Sequence, residues 1–490
     1  MKNILLLGAL LTVPAMAAPP ASAPRPNVLV ILVDDLGWTD LGAYGATLAE
    51  TPHLDRLAAE GARFTTAYVA YPRCVPSRFG LMTGKHPTRF QGARDGMKLR
   101  PGRDTTIGHV FSAAGYDTFY CGKWHLGEGP SGPAALGFKT AVAAGGAGAT
   151  RSHFAPYTEA RGRGGESEKE LIHGLEDAPR DEYLADRQTD ETMKFLGQAR
   201  DQPFFAVLAF YAVHTPLEAK AEHVAHYQAK LAGQPKPEAV WEKERHAENL
   251  LVQNNPVYGG MVRSVDENVG RLLAELDRLG LSRDTIVVVL SDHGGLSARG
   301  NTREVATSNR PLRAGKGHLY EGGLRIPLLV RWPGRVAPAV IGTPVISLDL
   351  IPTLADLTQL GTPLPQDLDG RSIAPLLGGG TVEPRPFFWH NPAPRPASTG
   401  DLYSSAVRSG EWKLLEFPES GQVELYDLSN DVGESRNLAA EQPQKRDELL
   451  AALKTWRNAV GAAPARSRPA REAKPAKAPD TSEPMEKDPS

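Results

Sequence analysis

Cysteine is almost absent: 490 residues carry only Cys74 and Cys121. A chain this long buries a core that holds without a disulfide staple, although in an exported protein the plain reading of two cysteines is one disulfide. Charge of one sign is also missing. Lys plus Arg number 55 against 57 for Asp plus Glu, which gives no footprint for nucleic acid or a basic membrane surface. Any anionic substrate must be held by a local cluster. Long apolar runs are lacking too, since no stretch reaches the roughly 20 residues of a spanning helix. No internal repeat is evident.

The longest leading apolar run, Ile4 to Val13, follows Lys2 and Asn3 and precedes Ala15-Met16-Ala17. That is the layout of a signal peptide over residues 1–17, and it places the mature protein in the periplasm or outside the cell. At the other end, residues 462–490 are rich in Pro, Ala, Lys and Glu with almost no large apolar side chain. A disordered tail is expected there.

Between them the pattern is α/β. "NVLVILVDD" (27–35) is a continuous apolar run ending in two aspartates, and the helix-like "TPHLDRLAAEG" follows, with Thr51 as cap and Gly61 as stop. The unit recurs: "TTIGHVFSAAG" leads into "YDTFYCGKWH", "DRQTDETMKFLGQA" into "PFFAVLAFYAVH", and "GGMVRSVDENVGRLLAELDRLG" into "DTIVVVLSDHGG". A large doubly wound, mostly parallel sheet is expected over residues 26–378. From 379 to 461, "SSAVRSGEWKLLEF", "QVELYDL" and "DELLAALKTWRNAV" predict a smaller antiparallel sheet with a terminal helix.

Polar residues gather at the strand ends. Asp34 and Asp35 close the first strand, Lys123 and His125 follow the second, His214 the third, and Asp292 and His293 the fourth. Open α/β sheets bind ligands at the carboxyl ends of their strands. Each motif alone has an ordinary explanation as a cap, a turn or a packed histidine. "CVPSR" (74–78) does not, since Cys-x-Pro-Ser-Arg arises by chance in on the order of one in a thousand chains of this length.

Together these residues resemble the type I, formylglycine-dependent sulfatase family, arylsulfatase-like, within the alkaline phosphatase superfamily, and within it the bacterial carbohydrate sulfatases. The resemblance runs from about Asn27 to Asn437 through "NVLVILVDDLGWTDLGAYG", "CVPSRFGLMTGKHP", "YCGKWHLG", "HTP", "SDHGG", "LRAGKGHLYEGGLRIP" and "ELYDLSNDVGESRNLA". It implies that a separate maturation enzyme oxidises Cys74 to formylglycine, which argues against a Cys74–Cys121 disulfide. A hydrated aldehyde offers two hydroxyls on one carbon: one attacks sulfur, and the other releases sulfate by rebuilding the carbonyl. The resemblance further implies that Asp34, Asp35, Asp292 and His293 bind a divalent cation, most often Ca2+, with Mg2+ possible, and that residue 74 joins them as a ligand through the diol made from Cys74. Lys123 and Lys316 would clamp the sulfate, Arg78 would hold the diol, His125 would take the diol proton, and His214 would protonate the leaving alcohol. Arg313 joins Lys123, His214 and Lys316 as a substrate-binding candidate.

His293 departs from the commonest family pattern, which has Asn there. A softer imidazole ligand leaves the metal open, and contact with the sulfate or an outer position remains an alternative. The implied substrate is a sulfated carbohydrate. Specificity is expected from the loops 143–165 and 295–312, with Arg151, His153, Arg299, Arg303 and Arg310 as candidates. Two rivals share the fold: a phosphodiesterase or phosphonate monoester hydrolase, and a noncatalytic protein that binds sulfated glycans.

Overall fold

The computed structural model describes residues 25–90, 97–158 and 171–462. The leader expected over 1–17 and the tail from 463 onward lie outside the described residues.

The apolar run at 27 forms the strand Asn27–Val33, inside a nine-stranded sheet and parallel to both neighbours, Phe204–Ala209 and Thr285–Ser291. Its side chains alternate between two cores. Val28, Val30 and Leu32 face one, with Val75, Phe79 and Phe111 of the helices Cys74–Thr83 and Ile107–Ala113. Leu29, Ile31 and Val33 face the other, with Leu54, Val265 and Leu272 of the helices Pro52–Glu60 and Pro256–Arg278. Burial on both faces explains why the strand shows no polar alternation. Helices on both faces make the sheet doubly wound, as expected.

Asp117–Gly122 pairs in parallel with Phe204–Ala209, and Thr140–Val142 adds to its other edge. One strand reverses: Arg325–Arg331 runs antiparallel between Thr285–Ser291 and Ala62–Tyr68. Thr51 precedes its helix as expected but does not cap it. Its hydroxyl accepts from the Gly42 N–H at 2.8 Å and donates to Asp55 at 3.0 Å.

The second sheet is antiparallel, in the order Phe387–Asn391, Ser404–Ser409, Trp412–Phe417, Gln422–Asp427. Leu449 and Leu453 of the helix Pro443–Ala459 pack on its Val407 and Leu425. The first of these strands was not expected from the sequence. The two sheets are tied by buried polar contacts. Trp389 Nε1 donates to the Val69 carbonyl at 2.7 Å. Lys413, fully buried, meets Glu321 and Glu434, each at 2.9 Å, and Glu321 also accepts from the Tyr68 hydroxyl at 2.8 Å. Among the described residues no helix is long and apolar enough to cross a membrane.

Candidate active site

Cys74 is the first residue of the helix Cys74–Thr83, so backbone N–H groups of the first turn and the positive end of the helix dipole lie at its side chain. Both cysteines are free, which removes the disulfide reading. The helix is latched in place by its own motif. Ser77 Oγ donates to the Asp292 carbonyl at 2.5 Å; Arg78 donates through Nε to Asp292 Oδ2 at 2.9 Å and through Nη1 to the Lys123 carbonyl at 2.7 Å. Ser and Arg thus bolt residue 74 to the ends of two strands.

Three carboxylates converge there, each almost wholly buried. Lys123 Nζ donates to Asp34 Oδ2. Lys316 Nζ reaches both oxygens of Asp35, at 2.7 and 2.8 Å. His293 sends Nε2 to 3.1 Å from Cys74 Sγ, 3.2 Å from Asp35 Oδ1 and 3.6 Å from Asp292 Oδ1, while its Nδ1–H is directed to the Gly294 carbonyl at 3.0 Å. That outward bond leaves Nε2 facing the cluster, and although burial works against the charge, Asp292, Cys74 and Asp35 raise the ring's pKa to about 9.

The charges set one another. Burial works against ionisation of Asp34, but Lys123, His214 and Arg78 hold its carboxyl well below the usual range. Asp35 is held at about 2, against burial, by Lys316 and the two histidines. Asp292 is pushed up to about 7 by burial and the Asp34 charge. Burial disfavours a thiolate at Cys74, yet Lys123 and Lys316 bring its pKa down to about 5. The potential at residue 74 therefore favours a negative group.

The donor set fits a divalent cation. Ligand atoms of Asp34, Cys74, Asp292 and His293 lie within 4.8 Å of one another, as do those of Asp34, Asp35, Cys74 and His214. Asp34 Oδ1 is buried and accepts no hydrogen bond among the described residues. Carboxylate oxygens with one imidazole suit a hard or borderline ion.

His214 and His125 flank the cluster. His214 directs its Nδ1–H to the Thr215 carbonyl at 2.7 Å, leaving Nε2 3.8 Å from Asp35 Oδ2. Burial and the Lys316 charge lower its pKa to about 4. Burial, Lys123 and Arg78 take His125 down to about 2, so its ring is neutral.

Several expected contacts fall elsewhere. Arg313 is committed internally, through Nε and Nη2 to Glu244 at 2.7 and 2.8 Å and through Nη1 to the Tyr426 hydroxyl and the Glu434 carbonyl, which corrects its reading as a substrate ligand. Arg299 pairs with Glu248 and Arg310 with Glu242. His153 is 1% exposed and directs its Nε2 to the His214 carbonyl at 3.1 Å, so it lies behind His214. Arg151 is exposed, and part of its loop, 159–165, lies outside the described residues.

Sequence reading missed Arg73. It joins Asp401 at 2.6 Å and Thr399 at 3.2 Å, while Asn391 Nδ2 donates to the Gly317 carbonyl at 3.3 Å. Gly317, at φ +96°, lies against this network, where a Cβ would stand 2.9 Å from Asp401 Oδ1. The chain around the second sheet thereby holds both Cys74 and Lys316. No local pattern announces such long-range pairs.

A family model described as Sulfatase matches residues 26–360. The chain belongs to the sulfatase family. A second model, described as N-sulphoglucosamine sulphohydrolase, C-terminal, matches residues 314–459 of this sulfatase. Arylsulfatase A of Homo sapiens is 32% identical over 497 residues, covering 90% of this chain and 88% of that protein. N-acetylgalactosamine-6-sulfatase of Canis lupus familiaris is 32% identical over 467 residues, covering 90% and 81%. Among solved structures, Ps i-CgsB in complex with k-i-k-neocarrahexaose superposes with a TM-score of 0.71 at 26% identity, covering 90% of this chain and 95% of that one. The sulfatase is a sulfuric ester hydrolase.

Proposed function

We propose that the protein is an exported sulfatase that removes sulfate monoesters from sugars of a sulfated polysaccharide, with formylglycine made from Cys74 by a separate maturation enzyme and with Ca2+ or Mg2+ as cofactor. The observation that carries this is Cys74 at a helix N-terminus, its thiol acidified by the charges of Lys123 and Lys316, with His293 Nε2 at 3.1 Å. The sugar class is supported by the similarity to N-acetylgalactosamine-6-sulfatase and to a structure solved with a neocarrahexaose.

Asp34, Asp35, Asp292 and His293 would hold the cation, and such an ion would supply positive charge for the sulfate and acidify a nucleophile at residue 74. Formylglycine supplies a nucleophile that can shed sulfate without a second displacement at sulfur. The remaining work falls to the chain. Lys123 and Lys316 border residue 74 and supply two of the charges that the sulfate oxygens need as the S–O bond breaks. Arg78 offsets Asp34 and Asp292 while fixing the helix. His125, kept neutral, accepts the proton released in the second half of the reaction. His214 presents Nε2 to the leaving oxygen. Its low pKa reflects burial and Lys316, and the charge of a bound sulfate acts in the opposite direction, favouring the imidazolium needed to donate.

The deciding experiment is a sulfate-release screen across defined sulfated sugars, using protein coexpressed with the maturation enzyme. Release from at least one sugar is expected. Turnover of nitrophenyl sulfate without release from any sugar sinks the carbohydrate reading.

A further inference from the structure

Four arginines crowd the segment 299–313, and one hairpin neutralises three of them. Arg299 pairs with Glu248 at 2.9 Å, Arg313 with Glu244 at 2.7 Å, and Arg310 with Glu242. All three glutamates lie on the paired strands Trp241–Glu244 and Ala247–Leu250. Arg303 is the exception. Among the described residues no carboxylate pairs with it, and its Nη1 donates to the neutral Ser398 hydroxyl at 2.9 Å.

Arg303 is also half-buried. A partly dehydrated cation with only a hydroxyl partner is unfavourable unless a ligand completes it. Its position points to the ligand. Ser398, which orients it, adjoins Thr399, which accepts from Arg73 Nη2 at 3.2 Å, and Arg73 immediately precedes Cys74. The Gly300 N–H donates to the Ser398 carbonyl at 2.9 Å, so the loop carrying Arg303 is pinned to the same strip of chain. Asp35 and Arg73 both lie near enough to act on the Arg303 charge. Arg303 is thereby tied, through Ser398 and Thr399, to the arginine that precedes Cys74.

We propose that Arg303, oriented by Ser398, binds a second anionic group of the substrate, an oxyanion other than the sulfate being cleaved. A planar guanidinium matches a sulfate ester or a uronate carboxylate in two-point geometry. The inference rests on the sugar-sulfate reading above and narrows it to polyanionic sugars.

The test uses three matched disaccharides: one with a single sulfate, one with a further sulfate on the neighbouring residue, and one with a neighbouring uronate. The readout is kcat/KM for each dianionic sugar divided by that for the monosulfated one. Wild type should prefer at least one dianionic sugar, and the arm that shows the preference identifies the group as sulfate or carboxylate. Arg303→Gln should cut that ratio about 10- to 100-fold, mainly through KM, as expected for a charged hydrogen-bonded pair. Arg303→Lys should restore part of it, and Ser398→Ala should lower it less. An unchanged ratio in Arg303→Gln, whether through equal losses on all sugars or no loss on any, overturns the inference while leaving the sulfatase reading intact. A wild type that hydrolyses nitrophenyl sulfate but none of the three sugars overturns both.

Discussion

His293 Nε2 lies 3.1 Å from Cys74 Sγ, on the same side of the cluster as Asp35 and Asp292. An imidazole nitrogen so close to residue 74 shares its environment, and the proposed mechanism depends first on the chemical state of that residue. Peptide mass analysis of active protein should find an aldehyde or its hydrate at Cys74. Cys74→Ser should retain the fold by circular dichroism and lose turnover. Full activity from protein carrying only the free thiol would falsify the formylglycine mechanism.

The second prediction concerns the metal. Exhaustive chelation should abolish activity reversibly, and His293→Ala should lower metal content after dialysis, with activity partly recovered at high Ca2+ or Mg2+. His293→Asn, which restores an oxygen donor, should hold more metal than the Ala variant. Equal metal affinity in wild type and His293→Ala, measured by calorimetry, removes His293 from the ligand set.

For His214 the readout is the leaving group. A sugar alkoxide needs a proton as the bond breaks, whereas nitrophenolate is already stable as an anion. His214→Ala should therefore reduce sulfate release from a sugar about 100- to 10,000-fold, with a much smaller loss on nitrophenyl sulfate. Equal losses on the two esters assign His214 to sulfate binding.

Gly148 tests His125. A Cβ at residue 148 would stand 2.3 Å from His125 Cε1 and 2.4 Å from its Nε2. Gly148→Ala should push the ring aside and lower kcat about a hundredfold, the scale of a 1 Å misplacement, with little change in melting temperature. An unchanged kcat shows that the position of the His125 ring does not limit turnover.

The buried Lys413 triad sets a pH dependence of stability. Burial and the Glu321 charge raise Glu434 to about 7, above its ordinary 4.5. The folded state thus binds this proton more tightly than the unfolded one. Stability from Glu434 is full below about 4.5 and is lost as pH rises through about 7, on the order of 1–3 kcal/mol. Glu434→Gln should flatten that part of the slope, raising the melting temperature relative to wild type more at pH 8 than at pH 5. An identical slope in both proteins contradicts the shift.

Much of this was legible in the sequence. Strands buried on both faces, such as Asn27–Val33 and Thr285–Ser291, show as unbroken apolar runs, and their carboxyl ends delivered Asp34, Asp35, Lys123, Asp292 and His293 to one place. Ala62–Tyr68 mixes Arg and Thr with apolar residues on a partly exposed face and gave no such run. The reversal of Arg325–Arg331 has no local signature, because strand direction depends on pairing with Ala62–Tyr68 far back in the chain. Arg313 misled for the same reason: its partner Glu244 lies 69 residues away, and a basic residue beside Lys316 looks the same in sequence whether it faces substrate or a buried glutamate.

The contact between Arg73 and Asp401 spans 328 positions, and that between Tyr71 and Asn391 spans 320. During synthesis the segment around Cys74 therefore emerges long before the residues that lock it. In the finished fold Cys74 is only 7% exposed, and its helix is buried along its whole length, so the proposed maturation enzyme would have no room to grip the surrounding chain. Order of assembly then becomes part of the chemistry. If Cys74 is oxidised as proposed, the enzyme that does so would have an interval that opens when residue 74 appears and closes when residue 401 folds back, and a variant that hastened this closure would be well folded, abundant and inactive.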